Sequence, residues 1–181
     1  MGFEVDIYGS GEIWFDDFRL DIVAPDVPLT NDKHMRFFSA RPADYSDTTD
    51  YLVTHNGHPT HCIAYLPGGA APPGARMYWG KEITYPEIEK YLGHTVRMTV
   101  WTKSENITGA ATPAFHPRDL NGTVIAHEQG NKSIKGTTDW TEHTFTCRIP
   151  ENSDFINNGF NFFGSGRLWI DTDSIKYEIV Q

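Results

Sequence analysis

The chain has 181 residues, with 15 basic against 24 acidic side chains, a formal net charge of −9, and 5 Trp, 8 Tyr, 11 Phe, 16 Gly and 11 Pro. That length suits one ordinary domain that folds without staples, and the acidic balance argues against the clustered cationic surface that nucleic acid or anionic lipid requires. The longest apolar run is the five residues Cys62 to Leu66, too short for a membrane-spanning helix or a signal-peptide core.

The first element, YGSGEIWFDDFRLDIV at Tyr8–Val23, is matched at the other end of the chain by FGSGRLWIDTDSIKYEIV at Phe163–Val180. In both, Gly-Ser-Gly is followed by Trp (Trp14, Trp169) and then Asp (Asp16, Asp171); a two-residue insertion in the second copy precedes the realigned ends. Each copy reads as a β-hairpin around a tight turn. Nothing upstream of Gly2 supplies the rest of a first unit. Residues 1–23 are therefore expected to be the C-terminal hairpin of a preceding repeat, 24–33 a linker, and 34–181 one complete unit. Residues 1–26 hold seven acids and one base, so −6 of the −9 belongs to the extra hairpin and the start of the linker. Its apolar alternation is expected to be docked, either on the main unit or by self-association with another chain.

Within the main unit, alternation and turn signals predict strands at 35–39, 51–55, 60–66, 76–83, 95–103, 110–116, 122–127, 140–149, 159–164, 166–171 and 174–180. Asn56-Gly57, Pro67-Gly68-Gly69, Asn121-Gly122 and Gly164-Ser165-Gly166 mark turns. One helix is predicted at 84–93, from the Thr84/Glu87 capping-box spacing, the early Pro86 and the closing Gly93. Short strands at this spacing describe an all-β antiparallel sandwich.

Alternation also sorts faces. Val96, Met98 and Val100 oppose Arg97, Thr99, Trp101 and Lys103, which places a large indole on the polar face of its strand. Trp79 shares a face with Lys81. Cys62 and Cys147 fall on inward faces, either as buried thiols or, if their strands are adjacent, as a disulfide. His55 and His58 flank the Asn56-Gly57 turn and should face each other, whereas His61 points to the opposite face. The cluster thus splits and reads as a structural hairpin rather than a tetrahedral metal site. No nucleophile elbow, phosphate loop, His-Glu-x-x-His or Cys-x-x-Cys occurs, and no local pair of carboxylates is forced together. An enzyme is not expected.

Three segments carry a resemblance: YLGHTVRMTVWTKSENITGAA (91–111), GTTDWTEHTFTCRIPENSDFINNGFNFFGSGRLWIDTDSI (136–175) and NGHPTHCIAYL (56–66). Together they resemble the jelly-roll carbohydrate-binding modules, whose sandwich is galactose-binding-like. The resemblance implies a jelly roll and non-catalytic binding of an oligo- or polysaccharide. It places Trp14, Trp140 and Trp169 at recurring motif positions in the core. Sugar rings have apolar faces and polar rims, so Trp101 and Trp79 are the expected stacking platforms, edged by Arg97, Lys81 and Lys103. His116, Arg118 and Asn131, in or beside variable rim loops, complete the expected ligand set. In related sandwiches the acid at Asp171 helps hold a structural calcium; alternatively Asp171 accepts backbone N–H bonds at a strand end. The sequence departs from the family pattern where WIDTDS replaces the adjacent acids of WFDD. The alternative reading is a ligand-sensing or protein-interaction module of a bacterial regulatory or cell-surface protein. An extracellular setting follows if the unit comes from a larger secreted protein.

Overall fold

The computed structural model describes residues 38–40, 44–127 and 133–180. The predicted hairpin 1–23, with Trp14 and Asp16, the linker 24–33 and Asn131 lie outside the described residues. Eight strands follow in order: β1 (Phe38–Ala40), β2 (Tyr45–His55), β3 (His58–Tyr65), β4 (Arg76–Ile83), β5 (Thr95–Arg118), β6 (Ile134–Arg148), β7 (Phe155–Phe163) and β8 (Arg167–Ile179). The predicted helix is a single 3-10 turn, Glu87–Tyr91, with no side-chain cap: the Thr84 carbonyl, not its hydroxyl, receives the Ile88 N–H at 2.9 Å.

All ladders are antiparallel, and one curled sheet makes both layers of a jelly-roll sandwich. The strand that joins them is β5. Its 24 residues were expected as two strands, because the polar stretch Glu105–Gly109 interrupts the alternation. Its first part pairs with β6 and β8 in a back layer completed by β3 and β2; its last part, Ala110–Arg118, pairs with β7 in a front layer completed by β4 and β1. The predicted strand at 122–127 is reduced to one bridge, Arg118–Val124.

The Gly164-Ser165-Gly166 turn corrects the hairpin reading. β7 and β8 share no ladder; each pairs with a different part of β5, so the turn is a corner carrying the chain from front to back layer. It runs alongside the place where β5 makes the same crossing. Thr108 N–H donates to the Ser165 carbonyl and Ser165 N–H to Thr108 Oγ1, both at 3.0 Å. Tyr45 Oη donates to the Gly164 carbonyl at 2.8 Å. At Gly166, φ is +114° and a Cβ would come within 2.6 Å of the Asn106 carbonyl oxygen. Only glycine meets both demands there.

Between the layers lie Met77, Trp79, Ile83, Phe115, Ile156, Phe160 and Phe162 from the front and Tyr45, Ile63, Val96, Met98, Val100, Phe145, Leu168 and Ile170 from the back, all buried. Edge-on ring contacts join them, Phe145 with Phe160 and Tyr45 with Phe162. One polar bond crosses the core: Tyr177 Oη donates to Asn158 Oδ1 at 2.5 Å, and burial holds that phenol well above its usual pKa.

Candidate functional site

The inner face claims two of the residues expected to bind ligand. Trp79 has 0% of its surface exposed and stacks against His61 at 4.9 Å between ring centroids. It shares its strand face with Lys81, as alternation requires, but that face is the core side. Lys81 lies at the rim with its ammonium 5.2 Å over the Tyr177 ring, and desolvation lowers its pKa. Neither Trp79 nor Lys81 forms an exposed platform, and Trp79 and Trp101 belong to different layers. The cue was present in Met77, Trp79 and Ile83, an apolar set at period two interrupted by one lysine.

The outer face of the front layer is built from three in-register rows. Gly80, Gly159 and Ala114 form the middle row; Tyr78, Asn161 and Thr112 flank it on one side, and Glu82, Asn157 and His116 on the other. A row of residues without side-chain bulk, between rows that have it, makes a furrow across the strands. The Tyr78 ring lies along its floor: a Cβ at Gly80 would collide with the Tyr78 hydroxyl and with the Asn158 carbonyl. Burial, followed by the nearby Glu82 carboxylate, pushes the Tyr78 phenol up, with Arg118 opposing, so it stays a protonated donor. Arg118 closes the end of the furrow, its Nη1 donating to the Gly122 carbonyl. Two buried polar atoms of this region, Arg118 Nε and Asn157 Oδ1, have no hydrogen-bond partner among the described residues. Both atoms are buried, so the residues' remaining polar atoms are the ones that can meet a ligand. Of the expected set, His116 and Arg118 belong to this furrow. Tyr78, Glu82, Asn157 and Asn161 were missed; the signal was the alternation of Tyr78-x-Gly80-x-Glu82 against Asn157-x-Gly159-x-Asn161.

The outer face of the back layer is aromatic. Trp169 is 6% exposed and packs with Cys62 and Ala64, partly covered by Val53 and Trp140. What seals it is a bulge in β2, where the register shifts between Asp50 and Thr54. Asp50 Oδ1 accepts the Leu52 and Val53 N–H groups at 2.9 and 3.0 Å, while its Oδ2 accepts Trp169 Nε1–H at 2.8 Å. Those bonds lower the Asp50 pKa, the Val53 N–H contributing most. Beyond the bulge, the His55 ring packs on both Trp101 and Trp140, with centroids 5.1 and 4.5 Å apart. Its Nδ1 lies 2.7 Å from Asp171 Oδ2. His55 and His58 do face each other across the Asn56-Gly57 turn. Each turns to an acid of β8, His58 to Asp173 at 3.6 Å.

Trp101 is half-buried and forms part of the wall of a cavity of about 270 Å³ that also takes in Asn56, Thr99, Glu142, Asp173, Ser174 and Lys176. Arg97 and Lys103 share its face but lie outside this cavity. Arg97 is held by Glu178 at 2.8 Å and Lys103 by Asp139 at 3.1 Å. A second hollow, near Tyr65 and Gly68, has its Arg167 already bound to Glu105. Asp171 makes the strand-end bonds expected as the alternative to a calcium role: one of its oxygens lies on His55, and the other accepts the N–H groups of Asp173 and Ser174. Cys62 and Cys147 are buried on opposite faces of the back layer, so Cys62 faces the outer aromatic cluster and not the core. Burial pushes the Cys62 thiol up to about 12.

No protein-family model and no curated protein matches the chain. Solved structures do. A structure described as "CBM4 structure and function" is 15% identical over 85% of this chain and 95% of its own length, with a TM-score of 0.52. The CBM22-1 xylan-binding domain of Paenibacillus barcinonensis Xyn10C is 10% identical over 79% of this chain and 86% of that one, with a TM-score of 0.51. The enzymatically active domain of bacteriophage CBA120 tailspike protein 4 is 13% identical, with a TM-score of 0.57; the match covers 80% of this chain but only 19% of that one. The chain thus shares the jelly-roll fold of carbohydrate-binding modules.

Proposed function

We propose that the chain is a non-catalytic carbohydrate-binding module whose ligand lies in the furrow of the front layer. The observation that carries this reading is the Tyr78 ring laid over Gly80 in a row of small residues, with hydrogen-bonding side chains on both sides. A sugar offers an apolar ring face to such an aromatic and a rim of hydroxyls to amides and charges. Asn157 and Arg118 supply an amide and a guanidinium, while Glu82, His116 and Asn161 set hydroxyl orientation. The shared fold with a domain described as xylan-binding makes xylan the first ligand to try. The role expected of Trp79 passes to Tyr78, its neighbour on the opposite strand face.

Affinity electrophoresis against xylan and a panel of other polysaccharides tests this. Tyr78→Ala and Arg118→Ala, each checked for an unchanged thermal transition, should weaken binding at least about tenfold, roughly 1.4 kcal/mol. Retardation of both variants equal to that of the parent chain would remove the furrow from the argument.

A further inference from the structure

We infer that the opposite layer carries a second saccharide pocket, at Trp101, which takes a single neutral sugar unit and not a stretch of polymer. The inference rests on the carbohydrate-binding reading but on none of the furrow residues. The pocket is made by an irregularity in β8. Between the pairs Thr99–Lys176 and Trp101–Asp171 the chain advances two residues on β5 and five on β8. The surplus includes the two residues by which the C-terminal copy of the repeated motif exceeds the N-terminal one.

The irregularity is pinned in place. Trp101 N–H donates to Ser174 Oγ at 2.9 Å, and Ser174 Oγ–H donates to the Asp171 carbonyl at 2.6 Å. The indole is fixed from another direction by the His55 ring, itself held on Asp171. Such a platform is pre-organised, so ligand binding need not order it. At about 270 Å³ the cavity sits at the small end for ligand pockets, which fits one ring unit.

The chemistry of the wall narrows the ligand. Trp101 offers an aromatic surface, and Glu142, Asp173, Lys176, Asn56 and Ser174 offer hydroxyl partners. With Asp171 held by His55 and Asp173 turned to His58, which also lines the cavity, Glu142 and Lys176 offset each other; no cation is left over for a uronate, and neutral sugars fit the wall better. Carboxylates accept two hydroxyls at once, a good match for a vicinal diol.

Isothermal titration with neutral xylo- and cello-oligosaccharides, and with glucuronate as the anionic control, separates the two sites. The parent chain should bind the neutral ligands at two sites and show no glucuronate heat at the second. Glu142→Ala and the blocking variant Thr99→Arg should abolish one site and leave the other within about twofold, while Tyr78→Ala should do the converse. Two sites surviving both cavity variants, or a single site lost with Tyr78→Ala, would overturn the second pocket and leave the furrow standing. No binding of any saccharide would overturn both.

Discussion

On the front layer the outer face is made of Gly80, Gly159, Ala114, Asn157 and Asn161; on the back it is made of Trp101, Trp140 and Trp169. The front face omits side chains along one row and lays the Tyr78 ring over it. The back face fills its space with indoles and then roofs them with the β2 bulge and the His55–His58 turn. A tryptophan pointing away from the core is therefore no guide by itself to a binding surface. Trp169 points outward and is sealed, Trp101 points outward and borders a cavity, and Trp79 is interior. What distinguishes them is which neighbour covers the ring.

The sharpest way to break this contrast is to truncate one indole from each setting. Trp79→Ala should lower unfolding free energy by about 3–5 kcal/mol, the range for deleting a large buried aromatic, read from urea midpoints at constant m. Trp101→Ala should cost clearly less; equal losses would mean that the outer aromatic cluster is as much core as the interior. A smaller effect comes from the roof. Asp50→Ala leaves Trp169 Nε1–H and two backbone donors without their acceptor, at a cost of about 1–3 kcal/mol, and should admit acrylamide to Trp169 fluorescence.

The same carboxylate has a pH signature. Its folded pKa is depressed, so its contribution is complete above the unfolded value of about 3.9 and is lost as pH falls through the folded one. The smallest effect belongs to His143, whose pKa burial lowers. The unfolded chain binds that proton more readily, so stability should fall as pH drops below roughly 6.5. His143→Gln should flatten that limb of a thermal-melt profile between about pH 7 and 5; an unchanged slope would assign it elsewhere.

Period-two alternation made β4 legible to the residue, and it correctly put Trp79 with Lys81 and His61 opposite His55. It says which residues share a face but not which face is inside, and that is where Lys81 and Cys62 misled. Nor does alternation name a strand's partner. Two strands around Gly-Ser-Gly look the same in sequence whether they pair with each other or, as here, part company into different layers. The furrow was half legible: His116 and Arg118 stood out as polar side chains beside rim loops. Tyr78, Asn157 and Asn161 needed the register of three strands that are distant in sequence. The β8 irregularity was visible as an insertion between two copies of a motif, but its effect was not, because it depends on what Ser174 bonds to on β5.

The passage of β5 through both layers has a consequence for how the molecule comes apart. One continuous strand supplies partners to β6, β7 and β8, so neither layer has a complete ladder without it. A slip of one residue at Thr95 would, carried along the strand, turn Phe115 toward solvent and His116 toward the core. The back layer thereby dictates which side chains the front layer presents in its furrow, although no back-layer residue takes part in it. Loosening one layer should unravel the other, and both should melt in a single transition.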